Sequence, residues 1–206
     1  MKLTWYGHSC FLLETAEGSV VFDPYAPGAV PGVALPEDLT ADTVVCSHGH
    51  KDHGYAAGVK LSGRKPGFRV KQLDCWHDDR QGALRGKNTI TVIEAEGRRI
   101  AHLGDLGHEL SPAQLTALGR VDLLLIPVGG HYTIDAKTAD RVARKIGAAL
   151  TVPMHYRGPG FGYSVIGPVE DFLALCDEVV RLDSSEMDPE LIRGPVTVLL
   201  RCPVKE

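Results

Sequence analysis

The segment SHGHKDH, residues 47 to 53, brings metal-binding side chains together more densely than any other part of the sequence. In an extended chain, side chains two residues apart point the same way, so His48 and His50 can bind one metal ion. Asp52 and His53 lie where we expect a short helix, residues 52 to 61, to begin. The change of chain direction there can aim them at a second ion nearby.

A catalytic centre needs further ligands from elsewhere in the chain. Three candidates each follow a strand-like segment: His77 after KQLDCW, Asp105 after RRIAHLG and His155 after LTVPM. Active-site residues collect where strands end at one edge of a sheet. The alternatives are a structural zinc loop or surface histidines in the cluster, with an exposed His77, a turn-forming Asp105 and a hydrogen-bonded core His155. The density of the cluster favours a catalytic centre.

The remaining sequence predicts the elements that must position these side chains. Residues 2–23 indicate a meander of three strands, and a loop rich in proline and glycine follows. Further strands are expected at TVVCS, at residues 68–75, 88–95 and 98–104, at VDLLLIP, AALTVP and VTVLLR, and near residues 179–182. Helices are expected at SPAQLTALG, DAKTADRVARKIG and residues 168–177. This order predicts an α/β fold of two packed mixed sheets with helices outside.

Length and composition limit the functional classes. A chain of 206 residues, 44% hydrophobic and 23% charged, predicts one soluble domain over residues 1–206. No apolar run reaches the roughly 18 residues of a membrane span, and no secretory signal is visible, so we expect a cytoplasmic protein. A net charge of -4 without a long basic run argues against nucleic acid. Five scattered cysteines predict reduced thiols that are not ligands.

Several motifs resemble those of a known family. HGHKDH matches the HxHxDH motif of the metallo-β-lactamase superfamily, and FDP, His77, LGD and PMHY resemble its other landmarks in the same order. More narrowly, MKLTWYGHSCFLLE, HLGDLGH and LLLIPVGGHYTIDAKTAD resemble the compact hydrolase branch related to ascorbate-6-phosphate lactonases and N-acyl-phosphatidylethanolamine phospholipases. The resemblance implies a four-layer αββα sandwich.

The resemblance also implies a role for each matching position. His48, His50 and His77 would hold a first divalent ion, Asp52, His53 and His155 a second, and Asp105 would bridge them. Asp23 would orient a ligating imidazole through its other ring nitrogen. Imidazole and carboxylate ligands suit zinc, which we expect, and also manganese, iron or nickel.

Such a centre predicts a metal-dependent hydrolase. Two ions about 3.5 to 4 Å apart lower the pKa of a shared water, and the resulting hydroxide would attack an ester, lactone or phosphodiester. Asp52 and Asp105 are the expected catalytic carboxylates, because either can guide the departing proton. The alternatives are a redox enzyme of the same fold, whose members carry an acidic residue where this chain has His50, and a metal-binding protein without turnover.

The substrate is expected to be a small and anionic molecule in an open pocket. His8, His131, Tyr156 and Arg157 are the candidate contacts, with Trp76, Tyr132 and the RGPGFGYS loop nearby. Arg157 is the expected anion-binding group. His102 is expected to point into the structure, and His108 to be solvated near the mouth of the pocket. Oligomeric state and substrate identity do not follow from the sequence.

Overall fold

Two β-sheets dominate the computed structural model, which describes residues 1–204. In chain order the strands of these residues are β1 (Lys2–Trp5), β2 (Phe11–Thr15), β3 (Gly18–Phe22), β4 (Thr40–Ala41), β5 (Thr43–Val45), β6 (Lys60–Leu61), β7 (Arg69–Trp76), β8 (Lys87–Ala95), β9 (Arg98–His102), β10 (Leu123–Pro127), β11 (Leu150–Met154), β12 (Val179–Arg181), β13 (Glu186–Met187) and β14 (Val196–Leu199). The helices are α1 (Pro112–Leu118), α2 (Ala136–Ile146) and α3 (Glu170–Leu173).

Both sheets are mixed, as predicted. The first has the order β13-β1-β2-β3-β5, in which β1, β2 and β3 form the predicted antiparallel meander and β5 lies parallel to β3. The second has the order β12-β14-β11-β10-β9-β8-β7. Five neighbouring strands of this sheet, β12, β14, β11, β10 and β9, are parallel to one another. Strand β8 is antiparallel to both β7 and β9. Strands β7, β9, β10 and β11 therefore all end at the same edge.

One apolar core lies between the two sheets. Alternate residues of the meander, such as Trp5, Phe11 and Phe22, point into it and are at most 1% exposed. Ile90 and Ile100 enter the same core from the second sheet. Sheet-on-sheet burial of this kind confirms the predicted α/β sandwich of two mixed sheets.

The three helices pack on or beside the second sheet, and sequence signals define their ends. Ser111 accepts a hydrogen bond from the backbone N–H of Gln114, whose side chain accepts one from the Ser111 N–H, so α1 begins with a capping box. Asp135 caps α2 at the N–H of Thr138. Among residues 1–204, the helices are all too short or too polar to cross a membrane.

The outer face of the first sheet is covered by irregular chain instead of a helix. The predicted helix over residues 52 to 61 is wrong: a 3-10 turn at Ala56–Gly58 and the short strand β6 replace it. The turn buries none of its residues, so it lacks the apolar face that stabilises a helix, and Gly54 and Gly58 lower its propensity further. The predicted helix at 168–177 contracts to α3, which has no side-chain cap at its start.

That residues 1–206 form one domain stays a prediction, and Lys205 and Glu206 lie outside the described residues.

A shared core predicts one cooperative unfolding transition. Leu13→Ala in the first sheet and Ile100→Ala in the second, both fully buried, should each lower the free energy of unfolding by about 2–5 kcal/mol. Urea denaturation followed by circular dichroism and tryptophan fluorescence measures both losses. Leu191→Ala, at a side chain that is 82% exposed, is the control and should change little. Two separated transitions, each sensitive to one variant, would contradict the shared core.

Candidate metal centre

The candidate ligands meet at one edge of the sandwich. His77 directly follows β7, Asp105 lies three residues after β9, and His155 directly follows β11. Because these strands run parallel, their final residues lie side by side. The segment from His48 to His53 reaches the same place from β5 in the first sheet. The topology thus brings all seven predicted metal-binding residues together.

The carboxylate of Asp105 occupies the middle of the cluster. Its Oδ2 atom lies near the Nε2 atoms of four histidines: His53 at 3.1 Å, His77 at 3.1 Å, His155 at 3.3 Å and His48 at 3.9 Å. Asp105 itself is 2% exposed. One carboxylate therefore contacts histidines from both predicted ligand sets.

Candidate ligand atoms fall into groups with the compactness of a metal site. His48, His50 and His77 form one group, and Asp52, His53 and His155 form another together with His8. Within each group, the atoms lie within 4.8 Å of one another. His48 also groups with His53 and Asp105, which joins the two sets. The groups contain imidazoles and carboxylates, but no thiolate.

Hydrogen bonds turn the Nε2 atoms of three histidines toward the centre. The Nδ1 atom of His53 lies 2.8 Å from Asp23, that of His48 lies 2.9 Å from the Ser47 hydroxyl, and that of His77 lies 3.1 Å from the Tyr132 carbonyl. Each Nδ1–H donates outward, so each Nε2 atom faces inward, the orientation that a metal ligand requires.

Asp23 organises two of these histidines at once. Its carboxylate accepts from the Ser47 N–H and hydroxyl, both at 2.6 Å, and from His53. Ser47 in turn accepts from His48. Asp23 therefore fixes His53 directly and His48 through one hydroxyl, the geometry expected of a carboxylate that orients ligands.

Two glycines permit the loops to approach one another. A Cβ atom at Gly104, which has a φ of +55°, would collide with Ser47 and Asn88. One at Gly107 would collide with the backbone of His77 and Asp78. The loop that carries Asp105 is thus pressed against the loops that carry His48 and His77, and side chains at these glycines would separate them.

The unpartnered atoms of the cluster show that a cation fits it. Within residues 1–204, the buried atoms Nε2 of His48, His53 and His155 and Oδ1 of Asp105 have no hydrogen-bond partner. Buried polar atoms without partners are costly, and several that lie together fit a positive ion bound among them. The chemistry of the donors and their orphaned state both match a divalent metal.

The charges of the cluster agree with that fit. Burial, reinforced by nearby His53, lowers the pKa of His48 to about 3, so its imidazole is neutral and can act as a ligand. Burial opposes ionisation of Asp105, but His155 and His53 hold the pKa of its carboxyl well below the ordinary value. Burial also acts to lower the pKa of His53, yet the carboxylates of Asp105 and Asp23 outweigh it and raise that pKa. The buried carboxylates therefore require positive charge.

A cavity of about 380 Å³ opens directly onto the cluster. Its lining residues are His50, Asp52, His77, Leu84, Arg85, Asp105, Tyr132 and Tyr163. Tyr132 and Tyr163 belong to the segments that the sequence placed near the pocket. Leu84 and Arg85 were missed, because nothing in the polar stretch after His77 indicated which of its residues would face the cluster.

Several predicted substrate contacts need correction. Tyr156 is only 3% exposed and packs on Trp5 and Phe161 in the core. Arg157 is exposed outside this cavity, and its Nε donates to the Ile166 carbonyl. His131 is exposed and lines a neighbouring cavity. His8 is buried beside Asp52 and does not line the cavity.

His102 and His108, the two histidines expected neither to bind metal nor to contact substrate, are both hydrogen-bonded. His102 is buried as expected: it stacks on Phe22 and its Nε2 lies 2.9 Å from the Ser9 carbonyl. His108 was expected to be solvated. Its Nε2 instead accepts from the Trp76 N–H at 3.1 Å, and its Nδ1 donates to the Glu109 carbonyl at 2.8 Å.

The Asp23 network predicts the metal affinity of a variant. Asp23→Asn keeps the shape of the side chain but removes the charge that accepts from His53, so metal affinity should fall about 10- to 100-fold. Competition with a chromophoric chelator measures the change. Asp135→Asn, at the cap of α2, is the matched control because asparagine caps a helix as well as aspartate does. Equal affinities for the two variants would show that Asp23 does not orient the ligands.

Comparisons with known proteins agree with this geometry. Residues 2–155 match the family model described as "Beta-lactamase superfamily domain". A UPF0173 metal-dependent hydrolase of Thermoplasma acidophilum is 28% identical over 187 residues, which cover 76% of this chain and 83% of that protein. Another UPF0173 metal-dependent hydrolase, from Carboxydothermus hydrogenoformans, is 28% identical over 191 residues, covering 76% and 84% of the two chains.

Solved structures extend the similarity over nearly the whole chain. A candidate zinc-dependent hydrolase of the metallo-β-lactamase superfamily from Thermotoga maritima is 35% identical, with a TM-score of 0.75 over 97% of this chain and 99% of that one. Igni18, a metallo hydrolase of Ignicoccus hospitalis, shares the fold at 20% identity and a TM-score of 0.64, over 99% and 96% of the two chains. The narrower resemblance to lactonases and phospholipases stays a prediction. With its family motif, its two packed sheets and its histidine–aspartate cluster, this chain belongs to the metallo-β-lactamase superfamily.

Proposed function

We propose that this protein is a metal-dependent hydrolase that acts on a small anionic ester, lactone or phosphodiester at a centre of two divalent ions. The observation that carries the proposal is the position of Asp105 Oδ2, which lies 3.1 to 3.9 Å from imidazoles of both ligand groups. The relatives named metal-dependent hydrolases support the reaction class. The predicted cytoplasmic location is part of the proposal.

Each ion would be held by one group of side chains. His48, His50 and His77 would hold the first ion, and Asp52, His53 and His155 the second, with Asp105 shared between them. Zinc is the metal we propose, because it is commonly bound by imidazole and carboxylate, and manganese, iron or nickel would fit the same donors. Ions bound there supply an activated water and polarise the oxygen of the substrate.

Asp52 and Asp105 have different surroundings, and we assign them different parts of the reaction. The Asp52 side chain is 20% exposed and faces the cavity, so it can accept a proton from the attacking water. The hydroxyl of Tyr163 lies 2.5 Å from the Ala29 carbonyl and 3.3 Å from Asp52 Oδ2, so its one proton can be donated to either acceptor. Asp105 is buried among the imidazoles, where its contacts with both ligand groups fix the position of one group relative to the other.

Asp105→Asn is the sharpest test of the reaction class. The variant should retain part of its metal, because the histidines remain, while kcat falls by about 100-fold or more, since a neutral amide cannot balance a shared pair of cations. Metal analysis is combined with a panel of an aryl phosphodiester, an aryl ester and a lactone.

Metal removal provides the companion measurement in the wild-type protein. A chelator should abolish turnover and added divalent metal should restore it. Full turnover by an Asp105→Asn protein that is fully loaded with metal would show that the assigned role is wrong. Activity that persists without metal would overturn the reaction class itself.

Arg85 gives the cavity its positive charge. It lies in the loop between β7 and β8, and its guanidinium sits 5.6 Å from the ring centre of Tyr132. The buried carboxylate of Asp78 shapes this loop by accepting from the backbone N–H groups of Arg80, Gly82, Leu84 and Arg85, at 2.7 to 3.0 Å. Burial opposes ionisation of Asp78, but these four donors lower its pKa to about 2. The loop is thus locally braced and presents Arg85 to a bound anion.

Arg85→Ala should therefore weaken the binding of a charged substrate and leave the binding of a neutral substrate nearly unchanged. Loss of one charge-assisted hydrogen bond, about 1.5–3 kcal/mol, should raise KM for an anionic substrate about 10- to 100-fold. The KM of a neutral ester should change little. Arg157→Ala is the matched control, because that side chain lies outside the cavity. An equal effect of both variants, or of Arg85→Ala on both substrates, would remove Arg85 as the anion-binding group.

A further inference from the structure

We propose that His8 is an additional ligand of the second metal ion, beside Asp52, His53 and His155. The inference rests on the proposed function, because it requires that an ion bind in this group. His8 lies in the turn between β1 and β2, far from the HxHxDH motif in sequence. Its side chain is nonetheless inside the cluster of candidate ligands.

The burial of His8 without partners points to a ligand role. The residue is 1% exposed, and neither of its ring nitrogens has a hydrogen-bond partner within residues 1–204. His102 provides the contrast, because it is equally buried but both of its ring nitrogens are partnered, by the Ser9 carbonyl and the Gly104 N–H. A histidine that serves only the core satisfies its nitrogens, as His102 does. His8 is left with an unused lone pair.

That lone pair is directed at the second ligand group. Nε2 of His8 lies 3.4 Å from Asp52 Oδ2, and the His8 ring centre lies 4.0 Å from that of His155 and 5.0 Å from that of His53. Neighbouring ligand atoms that hold one ion at about 2.1 Å are roughly 3.0 to 3.4 Å apart, from octahedral to tetrahedral coordination. The spacing between His8 and Asp52 is thus the spacing of two ligands on one ion.

The backbone holds His8 in place at a conformational cost. Its φ of +53° is left-handed, a conformation that is unfavourable for residues other than glycine. Its carbonyl accepts from the Trp5 indole N–H at 3.0 Å and from the His155 backbone N–H at 3.2 Å. Such strain persists where the surroundings determine the conformation, and it concentrates at functional sites. The bond to His155 fixes two members of the group relative to each other.

A substrate contact, the role expected from the sequence, fits the structure less well. The lining of the 380 Å³ cavity includes Asp52 but not His8. His8 therefore lies behind Asp52 as viewed from the cavity. From that position it can reach an ion held by Asp52, whereas a substrate in the cavity would be screened from it.

NMR of the cadmium-loaded protein tests the inference directly. With NMR-active cadmium and isotope-labelled histidine nitrogen, scalar couplings identify each imidazole bound to metal. We expect couplings from His8 as well as from His48, His50, His53, His77 and His155. His8→Ala should lose its own coupling and weaken cadmium binding at the second site at least about 10-fold, with the first site unchanged. His131→Ala, at an exposed histidine, is the control and should preserve all of these couplings.

The outcomes separate this inference from the proposed function. Two bound cadmium ions with couplings from the five other histidines, and none from His8, would overturn the role of His8 and leave the dinuclear centre standing. Failure to bind two ions would overturn both. The wild-type spectrum decides the point by itself, so the test holds even where His8→Ala does not fold.

Discussion

The buried carboxylate of Asp105, surrounded by imidazoles, is the constraint on which the rest of this structure depends. A charge at this depth is stable only where positive charge or several donors compensate it. Here the compensating groups come from two strand ends and one loop, which are far apart in sequence. The scaffold must therefore deliver them together, and the parallel direction of β7, β9 and β11 does so. The sandwich thus places imidazoles from distant parts of the sequence around one carboxylate.

Placing these imidazoles around Asp105 requires unusual backbone geometry. His8, Asp23, His131 and His155 all have left-handed φ values between +44° and +58°. Three of these residues belong to the cluster or contact it, and hydrogen bonds to Trp5, Ser47 and His53 compensate part of the strain. Gly104 and Gly107 lie where loops touch so closely that a Cβ atom would not fit. The apolar core between the sheets stabilises the whole arrangement, since local interactions alone would not hold these turns.

Local spacing and strand periodicity were sufficient to predict the sheets and the members of the cluster. The HxHxDH motif places its candidate ligands close together in sequence. Each of the three remote candidates followed a predicted apolar strand, so we could infer that they meet at one edge of the sheet. The left-handed turn at His155 could not. The next residue, Tyr156, is buried in the core, and alternation along an extended chain does not fix its position once the backbone turns. The position of Arg85 depends on Asp78, which accepts from backbone groups two to seven residues ahead, a pattern that no periodicity reveals. The helix expected at residues 52–61 failed because no apolar face supports it.

The two halves of the site are built from different parts of the fold, and this division bears on substrate choice. The half with the candidate ligands comes from three strand ends and the loop at 48–53 and is mostly buried, and hydrogen bonds orient His48, His53 and His77. The substrate half comes from the loop at 78–86 and from Tyr132 and Tyr163, which are only partly buried. Changes in the loop at 78–86 can alter the cavity while the candidate ligands keep their positions, because hydrogen bonds to Asp78 brace this loop locally. Tyr132 and Tyr163 are the exceptions. The Tyr132 carbonyl accepts from His77, and the Tyr163 hydroxyl contacts both the Ala29 carbonyl and Asp52, so these two residues couple the shape of the cavity to the positions of two candidate ligands.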